Sequence, residues 1–442
     1  MYLHAELMAR AAQSKPVRVL LIGAGKFGSM FLGQVPTTPG LVVTAIADLR
    51  PDAARASCRA VGWPDDLIQK TRFTDDAEAA IAAADIDVVI EATGHPPAGI
   101  KHARLAFKHG KHIVMVNVEA DVLAGPLLAR EAASAGVVYS MAYGDQPALT
   151  CELVDWARCC GFEVVAAGKG TKYLPAYHAS TPDTVWDHYG LTAEQAKAAG
   201  MNSKMFNSFL DGTKSALEMA AIANACGLTP PSDGLAFPPS GMDDLATVLR
   251  PRSVGGQLEA KGQVEVVSSL ERDGRPVFKD LRWGVYVVME APNDYAARCF
   301  RQYGMNTDAS GRYSAMFKPF HLIGMELNIS VLSAGLIGKA TGTTRDFRGD
   351  VVATAKSDLM PGTVLDGEGG ATVWGKLMPA ARSLELGGLP IGLAHGVRLK
   401  NPVAAGQCVT WADVDFDAAH PAVRVRRDME AHFREAFRAA AE

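Results

Sequence analysis

No stretch of the 442 residues reaches the ~18 uninterrupted apolar positions of a membrane-spanning helix. Nor does the start, Met1-Tyr2-Leu3-His4-Ala5-Glu6, carry the basic-then-apolar pattern of a secretory signal, so a cytoplasmic location and no membrane partner are expected. Cysteine is sparse. The seven residues (Cys58, Cys151, Cys159, Cys160, Cys226, Cys299, Cys408) include no CxxC or Cys/His spacing, which argues against a disulfide framework or a zinc site. Charge of one sign is also lacking. Lys and Arg number 44, Asp and Glu 48, and the net charge of −4 offers no handle for nucleic acid or an anionic bilayer. No internal repeat or low-complexity segment interrupts the chain.

What is present is ordinary globular material, 48% hydrophobic and 21% charged, long enough for two or three domains. After a short helix ending before Pro16, apolar runs alternate with helical stretches. Val17–Ile22, Leu41–Ala47, Ile86–Ala92, His112–Val118 and Val137–Met141 read as buried strands. Asp52–Val61, His102–His109 and Pro126–Ala135 read as helices. That alternation predicts an α/β fold, a doubly wound parallel Rossmann sheet over residues 1–155. An α+β substrate and oligomerisation domain is expected over 156–345. Glu163–Gly168, Val264–Leu270 and Val285–Met289 are its strands, the last two flanking an Asp273-Gly274 turn, and 192–199 and 208–226 are its helices. The apolar stretch 320–338 reads as packing back on the first domain. Short strands and Gly/Pro turns from 346 to 442, closed by a helix over Arg424–Ala440, predict a small β-rich third module.

Gly23-Ala24-Gly25-Lys26-Phe27-Gly28 follows the first strand and opens a helix, which is the dinucleotide fingerprint in its required context. The first glycine permits the turn, the second lets the backbone approach a pyrophosphate, and the third allows helix–strand packing. Asp48 ends the second strand and suits a ribose 2′-hydroxyl, whereas Arg50 suits a 2′-phosphate, so NAD and NADP both stay open. Thr93-Gly94-His95 reads as a wall for the nicotinamide ribose, with a solvated loop as the alternative.

Substrate should lie beyond the carboxyl ends of strands. Asn117-Val118-Glu119-Ala120-Asp121 puts acids there, with a capped helix start as the bland reading. Gly168-Lys169-Gly170-Thr171-Lys172-Tyr173 reads as a flexible anion-binding loop, with Tyr173, Tyr177 and His178 as weaker candidates. Lys214 and Glu218 are four apart and share a helix face, where a surface pair is the bland reading.

The stretches Val116–Asp121, Ala142-Tyr143-Gly144-Asp145-Gln146-Pro147, Gly168–Pro175 and Phe320-His321-Leu322-Ile323-Gly324 resemble a bacterial family of homoserine-dehydrogenase-like oxidoreductases. Ala355-Lys356-Ser357-Asp358-Leu359-Met360-Pro361-Gly362 resembles that family's C-terminal SAF domain. One branch of the family is deoxyxylulose-phosphate reductoisomerase-like, which implies NADPH, a divalent metal and a role in isoprenoid precursor synthesis. True homoserine dehydrogenases carry Asp-x-x-x-Lys on the helix after the substrate loop. Matched through Gly227, that pair falls on Lys214 and Glu218 with charges swapped, and Val118-Glu119-Ala120 stands where an Asn-Lys motif is expected.

The resulting expectation is an NAD(P)-dependent enzyme, homo-oligomeric by base rate and by resemblance, acting on a small anionic hydroxy-carbonyl substrate. Lys169, Lys172 or Lys214 would hold the anion and stabilise the alkoxide. Glu119 or Glu218 would act as base or help hold a divalent ion. A plain dehydrogenase of homoserine-like, sugar-acid or polyol substrates and a coenzyme-binding sensor without turnover are the competing readings.

Overall fold

A computed structural model describes residues 3–441, so Met1 and Tyr2 of the expected first helix lie outside the described residues. Two compact units emerge. The first comprises Met1–Glu152 with His321–Arg345, and the second Leu153–Phe320 with Asp346–Glu442.

The first unit is a six-stranded parallel sheet in the order β3-β2-β1-β4-β5-β6. Its strands are β1 (Val17–Ile22), β2 (Leu41–Ala47), β3 (Arg72–Thr74), β4 (Val88–Glu91), β5 (His112–Met115) and β6 (Tyr139–Met141). Its helices are α1 (Leu3–Ala12), α2 (Lys26–Leu32), α3 (Pro51–Ala60), α4 (Asp65–Lys70), α5 (Ala77–Ala82), α6 (Pro96–Lys108) and α7 (Val118–Ser134). Helix α8 (Gln146–Cys159) leads out of the unit. This is the doubly wound Rossmann arrangement, whose strand order reverses between β1 and β4.

Two helices begin earlier than expected. The His95 ring caps α6 by accepting from Ala98 N, ahead of Pro96-Pro97. The Asn117 side chain caps α7 by accepting from Ala120 N at 3.0 Å. Pro126 therefore lies inside α7 rather than at its start. The apolar segment 320–338 does return to this unit. Leu327, Val331 and Leu332 join the core built by Val19, Leu21 and Ile90. Beyond it, Met141 N donates to Gly342 O at 2.8 Å, so the β6 edge is covered.

The second unit holds a mixed sheet in the order β10-β9-β7-β8. Its strands are β7 (Glu163–Thr171), β8 (Gln263–Ser268), β9 (Val285–Glu290) and β10 (Tyr313–Lys318). Strands β8 and β9, read as flanking the Asp273-Gly274 turn, do not pair with each other. β7 lies between them, parallel to β8 and antiparallel to β9. The Asp273-Gly274 turn closes only a small bridge between Leu270 and Pro276. Helices α9 (Val185–Tyr189), α10 (Ala193–Ala198), α11 (Ser203–Leu210), α12 (Thr213–Cys226), α13 (Leu245–Val248) and α14 (Asp294–Gln302) belong here, and α15 (Asn328–Ile337) is the returning helix of the first unit. The expected helix 208–226 is two helices, because Gly212 adopts φ +89° and breaks it.

The C-terminal segment contributes β11 (Gly349–Ala355), β12 (Val364–Asp366), β13 (Val373–Pro379), α16 (Ala380–Leu386), β14 (His395–Leu399), β15 (Val414–Asp415) and α17 (Pro421–Ala441). Instead of standing apart from residue 346 onward, it shares the second unit. β11 and β13 pack on α12, and α12 also lies on β7 and β8. A helix covered on both sides is buried all round, as the run of small and apolar residues in α12 permits. The Lys356 ammonium clamps the joint, donating to Asp211 Oδ2 (2.8 Å), Ser180 O (2.6 Å) and Gly370 O (2.7 Å).

Candidate active site

In the first unit the glycine turn has the geometry its spacing predicts. A Cβ on Gly23 (φ +92°) would meet Ala92 O at 2.7 Å, and one on Gly28 would meet Gly23 O at 2.5 Å. A Cβ on Gly25 would meet no protein atom within 4 Å, so that face is open to a ligand. Lys26 and Phe27 begin α2, the lysine exposed and the phenylalanine against the core. Asp48 binds the turn itself: Oδ2 accepts from Ala24 N and Oδ1 from Arg50 N, each at 2.9 Å. The Arg50 side chain is exposed. Thr93, Gly94 and His95 are exposed beyond β4, and the Thr93 hydroxyl donates to Glu91 Oε1. These groups fit a nicotinamide dinucleotide at the carboxyl ends of β1, β2 and β4.

Glu119 lies half-buried in the first turn of α7, a helical position rather than a loop. Asp121 is buried. Tyr139 Oη and Thr344 Oγ1 both donate to it at 2.9 Å, and burial pushes its carboxyl up to about 6. It ties α7 to β6 and to the returning segment.

In the second unit the expected lysine loop is largely strand. β7 continues through Thr171, so Lys169 sits in the sheet interior. Gly168 and Gly170 serve close packing rather than flexibility, because a Cβ there would fall 1.9 Å from Glu265 O and 2.0 Å from Leu281 O. The Lys169 ammonium forms an ion pair with Glu218 of α12, and both side chains are buried. Lys214 is half-exposed on the first turn of α12. Lys172 is engaged elsewhere. It donates to the His188 carbonyl and lies 5.4 Å from the Tyr189 ring centre, and burial, helped by Arg282, lowers its pKa.

Tyr173 and His178 form a relay. His178 Nδ1 lies 2.7 Å from the Asp211 carbonyl, so it carries the proton, and Nε2 accepts from Tyr173 Oη at 2.9 Å. Burial lowers His178 to about 4. Its ring stacks on Trp374 at 3.9 Å, which gives this pair a packing role. Glu265, beside β7, accepts from Ala236, Phe237 and Val266 N–H groups, and burial raises it to about 7.

Two buried groups escaped the sequence reading, Glu91 and its neighbour His102 Nδ1, 3.2 Å from Glu91 Oε1. The signal was a lone acid closing the apolar strand Val88-Val89-Ile90. Among the described residues no group of three or more His, Cys, Asp or Glu side chains is placed to hold a metal ion, so the donor set does not fit a resident divalent ion.

Comparison with known proteins agrees with the two halves. Residues 23–140 match the homoserine dehydrogenase NAD-binding domain, and residues 144–327 match the catalytic domain of oxidoreductase DRL. The chain is therefore an NAD(P)-dependent oxidoreductase. No curated protein matches it. Solved structures resemble it loosely. A putative oxidoreductase from Klebsiella pneumoniae is 16% identical over 74% of this chain and 88% of its own, with a TM-score of 0.38. A putative myo-inositol dehydrogenase from Sinorhizobium meliloti 1021 is 15% identical over 72% and 88%, with a TM-score of 0.34. The 3-ketoreductase KijD10 from Actinomadura kijaniata is 18% identical, but the match spans 36% of this chain and 48% of that one, about half its length, at a TM-score of 0.27. Likeness at this level carries no argument about substrate.

Proposed function

We propose that the chain interconverts the carbonyl and hydroxyl forms of a small anionic substrate, with Lys169 as acid–base residue and Glu218 as its charge partner. The observation that carries this reading is the buried Lys169–Glu218 pair inside the catalytic-domain match. Isolated buried charges are costly, and such pairs recur where chemistry needs them. Carbonyl reduction adds a hydride to carbon and a proton to oxygen. The bound nicotinamide supplies the hydride. The Lys169 ammonium donates a hydrogen bond to the carbonyl oxygen and then its proton to the alkoxide, while Glu218, its ion-pair partner, holds the lysine in place. Oxidation runs the same transfers backwards. Lys214, on the same helix as Glu218, is assigned the substrate's carboxylate or phosphate.

Gly23, Gly25 and Gly28 with the α2 N-terminus hold the pyrophosphate in this reading. Asp48, anchored by two N–H donors, puts negative charge where a 2′-phosphate would lie, so NAD is the preferred coenzyme. Replacing Asp48 by Ser should shift preference toward NADPH in a binding titration.

A reductoisomerase on 1-deoxy-D-xylulose 5-phosphate, with a SAF domain at 346–442 and a homo-oligomeric assembly, is the finer form suggested by the sequence resemblance. A plain dehydrogenase is favoured over it because the described residues present no metal donor set. Turnover of a panel of phosphorylated ketoses and sugar acids, with products read by mass and NMR, separates the two. Lys169→Ala with undiminished turnover would refute the assignment, and coenzyme binding without turnover on any substrate would favour a sensor.

A further inference from the structure

We propose that Glu91 is a positioning residue of the coenzyme crevice, acting on Thr93 directly and on Asn117 through one buried water held over Gly99. The inference rests on the first unit binding coenzyme at the carboxyl ends of its strands. Glu91 ends β4, pairs in register with Ile22 of β1 and Met115 of β5, and has no exposed surface. It therefore stands at the point where the strand order reverses and a dinucleotide crosses the sheet. With the adenosine ribose at Asp48 beyond β2, the nicotinamide half falls on the loops after β4 and β5. Those loops carry Thr93 and Asn117.

The carboxylate divides its work. Oε1 takes the Thr93 hydroxyl and faces His102 Nδ1. Oε2 is buried and makes no hydrogen bond within the protein. Asn117 is 2% exposed, spends Oδ1 on the α7 cap, and leaves its Nδ2 unpartnered as well. These two atoms converge. A Cβ on Gly99 would lie 3.2 Å from Asn117 Nδ2 and 3.4 Å from Glu91 Oε2 but only 2.9 Å from Ala120 Cβ, so the two polar atoms border one narrow space on the side away from Ala120, too tight for a methyl. One is a donor and the other an acceptor. A water satisfies both by accepting from the amide and donating to the carboxylate. A cation does not fit, since the Nδ2 hydrogens would face it. Leaving both groups unpaired would cost each its desolvation, which is why such atoms take ordered water. The β4 and β5 loops are thus tied to one carboxylate.

The test uses the full chain. A crystal structure at about 2 Å should show a water within hydrogen-bond distance of Glu91 Oε2 and Asn117 Nδ2, and an empty or apolar contact there overturns the bridge. Wild type, Glu91→Gln and Gly99→Ala are titrated with NADH and with ADP-ribose, which lacks nicotinamide. The expected result is a five- to tenfold weaker NADH affinity in both variants, about the loss of one or two hydrogen bonds, with ADP-ribose binding within twofold of wild type. Equal losses for both ligands would mark Glu91 as merely structural, and unchanged NADH affinity would remove it from the crevice. Either outcome refutes the proposal while leaving the coenzyme reading intact. A wild-type chain that bound neither NADH nor NADPH would instead bring down the coenzyme reading itself.

Discussion

Lys169 on β7 and Glu218 on α12 meet as an ion pair with side chains 7% and 3% exposed, 49 positions apart in the chain. Neither charge has water to fall back on. Lys169→Met or Glu218→Gln should each cost about 3–5 kcal/mol, because each strands or weakens a buried charge. The double change Lys169→Met/Glu218→Leu should restore much of the lost melting temperature and none of the turnover. A double variant that stays active would make the pair structural.

The glycine turn allows folding and binding to be separated. Gly25→Ala adds a methyl that touches no protein atom, so its melting temperature should match wild type while coenzyme affinity drops at least tenfold. Gly28→Ala drives a methyl onto the Gly23 carbonyl oxygen, so it should lower the melting temperature first. Thermal shift with and without NADH reads both. Equal behaviour of the two variants would contradict the open cradle at Gly25.

Glu265 and His178 give the second unit opposing pH dependences. Burial raises Glu265 from 4.5 to about 7, so the fold prefers its protonated form and gains stability as pH falls from 7 toward 4.5. Burial lowers His178 from 6.5 to about 4, so the unfolded chain takes up a proton that the fold refuses, and stability is lost as pH falls from 6.5 toward 4. Each effect is on the order of 3 kcal/mol, and they offset over the shared window. Glu265→Gln should uncover the acid loss, and His178→Asn should uncover the acid gain. Melting curves from pH 4 to 8 check this, and parallel profiles for the two variants would refute it.

Arg426 is wholly buried on α17, paired with Asp350 of β11 and with Glu430 one turn on. Arg426→Ala leaves two buried carboxylates facing each other and should destabilise the second unit by about 3–5 kcal/mol. Arg426→Met with Asp350→Leu and Glu430→Leu should recover most of that. Hydrogen exchange of α17 amides reports the loss locally, and unchanged protection in Arg426→Ala would remove the network from the stability account.

The coenzyme half was legible because its signals are local. Val17–Ile22 is apolar enough for a buried parallel strand, Gly23, Gly25 and Gly28 sit at fixed offsets, and Asp48 closes the next strand. Glu119 could be placed near a strand end, and of the two readings the sequence left open there, the capped helix start is the one observed, with Asn117 capping α7 and Glu119 in its first turn. The lysine loop was misread. Gly168 and Gly170 look like flexibility in a sequence, but here they let neighbouring backbones approach.

Sequence alone determined the alternation of strand and helix, the phosphate turn and the class of coenzyme, all of which depend on residues within a few positions of one another. Tertiary structure alone decided that Lys169 pairs with Glu218, that Lys356 clamps Asp211, and that Glu91 and Asn117 face a common space over Gly99. Those relations arise only when separate elements dock. Burial then turns an unremarkable charge or amide into a group that must find a partner, and no spacing along the chain records which partner that is.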